Sequence, residues 1–171
     1  MKIDKNNLSL AGEYAVASEL CKRGLYAQVT LGNYKSTDIV IFNSTYENYV
    51  KVEVKSKQVD TWSNIRGIKG KNLLLICVDF CNKENIERPD FYIFNEEDWM
   101  LFLKNKYEQN LLKDDNDKGK IIIDNDNVPC WINQPIKGSK SCYKGIDFKP
   151  KEILEYQDRW DKVDNIFTNP I

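Results

Sequence analysis

The chain has 171 residues, 42% of them apolar and 30% charged, with a formal net charge of −1. That length and mixture place it among soluble globular proteins, with enough chain for one domain and a core. The near-neutral charge excludes a protein that coats nucleic acid indiscriminately. The absence of histidine removes the commonest general base, so acid–base chemistry must use carboxylates, lysine, tyrosine or a metal-bound water.

"MKIDKNNLSL" at the N-terminus has no apolar core of signal-peptide length, and the longest apolar run, "LLLICV" at 73–78, is too short to span a membrane. A cytoplasmic location is the expectation. The odd number of cysteines, five, argues against a disulfide framework. Cys77 and Cys81 are spaced C-x3-C, but Cys130 and Cys142 make no second close pair, so a structural zinc site is poorly supported.

Taken in chain order, "SLAGEYAVASELCKR" at 9–23 predicts a helix, capped by Ser9 and closed by Gly24 after Lys22 and Arg23. "LYAQVTL" predicts a strand and "GNYKS" a turn. "DIVIF" at 38–42 and "YVKVEVK" at 49–55 predict a hairpin joined by "NSTYEN". "KQVDTWSNIRGIKGK" reads as a polar, basic surface excursion, and "NLLLICVDF" at 72–80 as a central buried strand. "DFYIF" is a further strand, after which Asn95 caps a helix with Glu96, Glu97 and Asp98 in its first turn. "KDDNDKGK" lacks the oxygen ligands and closing glutamate of a calcium loop and reads as a hairpin tip. A terminal helix is expected from about Pro150 to Val163. The order gives one α/β or α+β domain over 1–171 around a mixed sheet flanked by helices. Its motif-bearing core is 9–110, and 111–171 form an extension with a basic loop and the last helix.

The hairpin predicts its own register. Pairing Phe42 with Tyr49 sets Val40 opposite Lys51 and Asp38 opposite Glu53. Ile39 and Ile41 then share one apolar face with Val50, Val52 and Val54. Asp38 and Glu53 come to lie with Cβ atoms about 5 Å apart, which is destabilising unless a positive charge stands between them. The simplest reading of "YVKVEVKSK" is a half-exposed strand, wet on one side. The more specific one is a metal-assisted hydrolytic site with Lys55 beside it. On the first helix Leu10, Tyr14, Ala17, Leu20 and Cys21 form an apolar stripe that includes Glu13, whereas Glu19 falls on the opposite face. A carboxylate on a core-facing stripe is costly unless it is paired, protonated, near a metal or at a wet rim.

Glu13 in "GEYAVASEL", Asp38 in "STDIVIF" and Glu53-Val54-Lys55 in "VEVKSK" together resemble the PD-(D/E)XK nuclease superfamily, and most closely its small archaeal Holliday-junction-resolvase-like members. In that family a helix bearing a glutamate precedes a hairpin whose strands bring the aspartate and then (D/E)-x-K. The resemblance covers residues 9 to about 80 and includes the excursion and buried strand that follow the motif. Thr37 stands where the family usually has proline, and the literal Pro89-Asp90 comes after the Glu-x-Lys element with none behind it.

The resemblance implies a restriction-endonuclease-like core and Mg²⁺-dependent hydrolysis of phosphodiester bonds in DNA, branched or junction DNA included, with Mn²⁺ as a substitute. Asp38 and Glu53 would ligate the metal with the Val54 carbonyl, Lys55 would orient water or neutralise the phosphate, and Glu13 would hold a water or a second metal. Residues 48–75 and 131–151 are both rich in lysine and arginine. Lys57, Arg66, Lys69 and Lys71 are candidates for the DNA backbone, and Trp62 for stacking or for a core anchor. Lys137, Lys140, Lys144, Lys149 and Lys151 would extend the face. A homodimer would allow two strands to be cut. The alternatives are a nuclease-fold binding module without catalysis and a plain interaction domain.

Overall fold

The computed structural model describes residues 2–30, 37–43, 45–112, 119–133 and 144–168. The turn expected at 32–36, the polar tip at 113–118, Lys137, Lys140 and Cys142 lie outside them. Among the described residues no helix is long and apolar enough to cross a membrane.

The first helix, α1 (Lys5–Lys22), starts earlier than expected. Asp4 caps it rather than Ser9, its carboxylate accepting the Asn6 N–H at 2.9 Å. Its buried face is also rotated from the expected stripe. Leu8, Gly12, Val16, Ala17, Glu19 and Leu20 are buried, while Leu10, Tyr14 and Cys21 are exposed. Gly12 explains the rotation. A Cβ there would fall 1.8 Å from Ser56 Oγ, so the helix backbone lies directly against the strand that carries Ser56. Periodicity weighs Leu and Tyr heavily and glycine hardly at all, so it missed the contact point.

Five strands form the central sheet in the order β1-β2-β3-β5-β6. They are β1 (Tyr26–Val29), β2 (Ile39–Phe42), β3 (Tyr49–Lys57), β5 (Leu73–Asp79) and β6 (Asp90–Phe94). β3 and β5 run parallel and the other neighbours antiparallel, so the sheet is mixed. The expected hairpin register is observed from Phe42 opposite Tyr49, through Val40 opposite Lys51, to Ile39 opposite Val52, and the pairing stops before the expected Asp38–Glu53 pair. The Asp38 N–H extends the ladder by one bond, to the Val52 carbonyl at 2.8 Å.

Both faces of this sheet carry core, but the Tyr26, Tyr49 and Lys51 side of its first three strands stays exposed. Ile39, Ile41, Val50, Val52, Val54, Leu74, Ile76 and Val78 pack under α1 and the last helix, α3 (Asp161–Thr168). On the other face, Leu75, Cys77, Tyr92 and Phe94 lie in an aromatic cluster with Trp62, Trp99, Phe102 and Phe148. Trp99 and Phe102 belong to α2 (Glu96–Leu111), which Asn95 caps as expected. β3 keeps the expected alternation, with Val50, Val52 and Val54 buried, Tyr49 and Lys51 exposed and Glu53 and Lys55 partly so, whereas the continuous run "LLLICV" on β5 is covered on both sides.

The basic excursion is not a simple surface loop. Trp62–Ile65 form β4, which pairs with β9 (Ile146–Phe148), and Trp62, Ile65 and Ile68 are buried. β7 (Lys120–Ile123) and β8 (Pro129–Ile132) make a separate hairpin. The expected terminal helix is broken into 3-10 turns at Pro150–Glu152 and Leu154–Tyr156, ahead of α3. Tyr156 is buried in the aromatic cluster and Trp160 in the cluster under α1, on opposite faces of the sheet. Residues four apart share one helix face, so a continuous helix cannot serve both. Instead Gln157 bridges Tyr92 on the edge strand β6, and Asp158 takes a φ of 52° as the chain turns round that edge.

Glu19 anchors the same corner. Its carboxylate meets Arg23 at 2.7 Å, Lys22 at 3.1 Å and Arg88 at 3.2 Å, and Arg88 also holds Asp158 at 2.7 Å. Burial alone would raise its pKa, but the bonds from Arg88, Arg23 and Lys22 outweigh it and hold the group down to about 2. A depressed carboxylate contributes stability above its unfolded value of 4.5, and that stability is lost as pH falls towards 2. Glu19→Gln should therefore cost roughly 2 kcal/mol at neutral pH. Urea unfolding of both proteins should show the gap closing as the pH drops below 4.5.

Candidate active site

β2 ends at Ile39 while β3 continues to Lys57, so from Val54 onward β3 has lost its partner on that side. Asp38 sits at this divergence. Its carboxylate accepts the Val54 N–H at 2.6 Å and takes over the bond that the next β2 residue would have made. N–H and C=O of one strand residue lie on the same edge. The Val54 carbonyl is thus directed past the end of β2, towards the same opening.

Glu53 and Lys55 share the other face of β3 and meet as an ion pair, Nζ to Oε1 at 2.8 Å. The second carboxylate oxygen, Oε2 of Glu53, is buried with no hydrogen-bond partner. A lone acceptor in that position costs roughly 1–3 kcal/mol, more where it is charged. Lys55 is half-exposed at 38%, Glu53 less so at 15%. The pair thus lies where one end meets solvent.

α1 brings Glu13 to the rim of this opening. It is half-buried and accepts from Ser9 Oγ at 3.2 Å. Burial and then the Asp38 charge raise its pKa, against smaller opposing effects of Ser9 and Lys55. Asp38 is also raised, by burial and by Glu53, against the pull of the Val54 N–H and Lys55. Lys55 is raised too, although its burial alone would lower it, because the Glu53 charge and hydrogen bond prevail. Lys55 acts on Glu13 and Asp38 as well as pairing with Glu53, so three carboxylates share one amine.

The oxygen set suits a divalent cation. Two carboxylates and a backbone carbonyl are hard ligands, and Mg²⁺ completes its shell with water and substrate. The orphaned Glu53 Oε2 is where a cation would satisfy a buried charge. Among the described residues no three Asp, Glu, Cys or His side chains are grouped to hold a metal, so a cation here would find a partial protein shell rather than a cage.

The candidate DNA contacts divide. Lys57 is buried against Asp79 at 2.6 Å and Trp62 is 2% exposed, so both are structural in this conformation. Burial of Lys57 corrects its expected contact with the DNA backbone, and Trp62 takes the core-anchor alternative. Arg66 is exposed but ion-paired to Asp124, at the turn of the β7–β8 hairpin. Lys69 and Lys71 are exposed, but they precede β5, near the Tyr49 end of β3. At about 3.3 Å per residue that is roughly 13 Å along the strand from Glu53. The β4–β9 pairing does bring the two basic segments side by side, with Lys149 and Lys151 exposed.

Three residues that shape the site escaped the sequence reading. Gly12 permits the approach of α1, Ser56 meets it with a buried, unpartnered hydroxyl, and Asp79 holds Lys57. A glycine within an otherwise strong helix pattern was the available signal for the first. The other two depend on which strand pairs with β3.

The protein has a nuclease-like fold, a mixed α+β architecture with a five-stranded sheet flanked by helices. It is similar in structure to a bacterial homing endonuclease, I-Ssp6803I, with a TM-score of 0.50 over 96% of each chain and 15% sequence identity. At that identity the likeness is one of fold. No protein-family model and no curated protein matches the chain.

Glu13 offers a test in which stability and activity separate. Its raised pKa means that the ionised form opposes folding at neutral pH, whereas below the unfolded value of 4.5 the opposition disappears. Metal-free Glu13→Gln should therefore melt at or above the wild-type temperature at pH 7, with no advantage in acid. If Glu13 serves the site, cleavage should slow by at least about tenfold, or about 1.4 kcal/mol of transition-state stabilisation.

Proposed function

We propose that the protein is a metal-dependent endonuclease that hydrolyses phosphodiester bonds in DNA. The observation that carries this reading is the convergence of Asp38 and Glu53-Val54-Lys55 where β2 ends, with a buried Glu53 oxygen left without a partner. The nuclease-like fold supports it, as does the resemblance to the PD-(D/E)XK superfamily in the order and spacing of the same residues.

Asp38, Glu53 and the Val54 carbonyl would hold Mg²⁺, with Mn²⁺ able to replace it. When bound, such an ion supplies charge neutralisation at the phosphate and a more acidic water. Lys55 can exchange its bond to Glu53 for one to a phosphate oxygen, and so stabilise the charge that develops there. Glu13 takes up a proton more readily than an ordinary glutamate and stands at the rim to orient water. Hydrolysis adds one water across a P–O bond, leaving a phosphate on one strand end and a hydroxyl on the other. Branched or junction DNA is the first substrate class to try, and a homodimer would give the paired sites that a double-strand cut needs.

A second reading has its own observation. Glu53 is engaged by Lys55, and among the described residues no third ligand side chain is grouped with Asp38 and Glu53. A nuclease-fold module that binds DNA without cutting it would tolerate both features. Labelled four-way junction, flap and linear duplex, each with Mg²⁺ or with EDTA, separate the two readings. The endonuclease reading expects Mg²⁺-dependent nicks in at least one substrate, abolished by Lys55→Ala with the fold and DNA affinity retained. Structure-selective binding without any nick favours the second reading.

A further inference from the structure

Beyond the Glu53–Lys55 pair, β3 carries Lys51 and Lys57 on the same face, the first exposed and the second used differently. Lys57 is buried, its ammonium 2.6 Å from the buried Asp79 and 2.9 Å from the Val59 carbonyl. The same ammonium lies over the Trp62 ring, 4.4 Å from its centroid. Trp62 in turn reaches back to β3: its indole N–H donates to the Lys55 carbonyl at 2.9 Å. Tyr92 and Phe148 pack beside the ring, their centroids at 5.5 Å and 5.4 Å.

These contacts fall on the part of β3 that is paired on one edge only. Beyond Val52 it has no β2 partner, and only β5 continues its ladder. Asp38 holds the open edge at Val54, and Trp62, from the Lys55–Lys57 face, adds a bond to the carbonyl of the next residue on the edge that β5 pairs. We propose that Trp62 is a positioning residue for the Glu53–Lys55 pair, acting through its indole N–H on the Lys55 carbonyl and fixed there by the buried Lys57–Asp79 pair. The inference rests on the reading of Lys55 as an active-site residue. It gives Trp62 a role distinct from both stacking on a base and filling a core. Asp79 has a part as well: its ion pair holds the Lys57 ammonium against the Trp62 ring.

The test compares two losses within one aromatic cluster. Trp62→Phe removes the N–H and keeps a ring, whereas Phe148→Leu removes ring packing and leaves the N–H in place. Benzothienylalanine at position 62, with sulfur in place of N–H, keeps the full bicyclic volume and serves if Trp62→Phe does not fold. In metal-free protein, amide hydrogen exchange at 54–57 should rise at least about tenfold in either position-62 variant, with no selective rise there in Phe148→Leu. With Mg²⁺ and DNA, the position-62 variants should lose at least about tenfold in single-turnover rate while Kd stays within about twofold, the signature of lost transition-state stabilisation. Phe148→Leu should cut at close to the wild-type rate.

Wild-type exchange at 54–57 in the position-62 variants, or a wild-type rate beside an inactive Lys55→Ala, overturns the positioning role and leaves the endonuclease reading intact. A wild-type protein that cuts no DNA overturns the endonuclease reading instead, and the exchange result alone then decides whether Trp62 holds Lys55.

Discussion

The site depends on one hydrogen bond, from the Val54 N–H to the Asp38 carboxylate at 2.6 Å. It forms because β2 stops one pair short of Asp38 while β3 runs on. A strand that loses its neighbour exposes N–H and C=O groups that must find other partners. Here a side chain at the end of β2 supplies one, and in doing so it is drawn into the opening between the strands. The same divergence directs the Val54 carbonyl there and puts Glu53 and Lys55 beside it. A longer β2 would pair Val54 through its backbone and close the opening.

The rest of the fold keeps that divergence rigid. β5 binds the other edge of β3 along the full motif, from Lys51 to Lys57. Gly12 lets α1 lie against Val54 and Ser56, which brings Glu13 to the rim. On the far face the aromatic cluster includes Trp62, with its bond to the Lys55 carbonyl. Each layer contributes one contact to the two or three residues that would do the chemistry. The cost is a crowded set of carboxylates, visible in the upward shifts of Glu13 and Asp38 and in the unpaired Glu53 oxygen. Such crowding is expected of groups arranged for a cation or a phosphate, and structural ion pairs can also produce it.

Where side-chain alternation fixes the answer, the sequence was easily read. Val50, Val52 and Val54 against Ile39 and Ile41 allow one hairpin register, and that register is the observed one. Asn95 and the acidic turn behind it marked α2 correctly because capping is local. Long-range partners were harder to read. Trp62 was open between stacking and core because its partner strand, β9, lies some eighty residues away. The terminal helix looked continuous, yet Tyr156 and Trp160 had to reach opposite faces of the sheet. Glu19 looked unremarkable because Arg88, which completes its cage, is remote in sequence. On α1 the residue that sets the buried face is a glycine, which carries little weight in a hydrophobic pattern.

The central claim is that Asp38 and Glu53 jointly hold a divalent cation at the end of β2. Calorimetric titration with Mn²⁺ tests it most directly, on wild type, Asp38→Asn, Glu53→Gln and Lys55→Ala. Asn at position 38 can still accept the Val54 N–H, so the fold is kept while the charge is removed. The account predicts saturable binding in the wild type, weakened by both carboxylate substitutions and largely retained in Lys55→Ala. Equal Mn²⁺ affinity in wild type, Asp38→Asn and Glu53→Gln would contradict it.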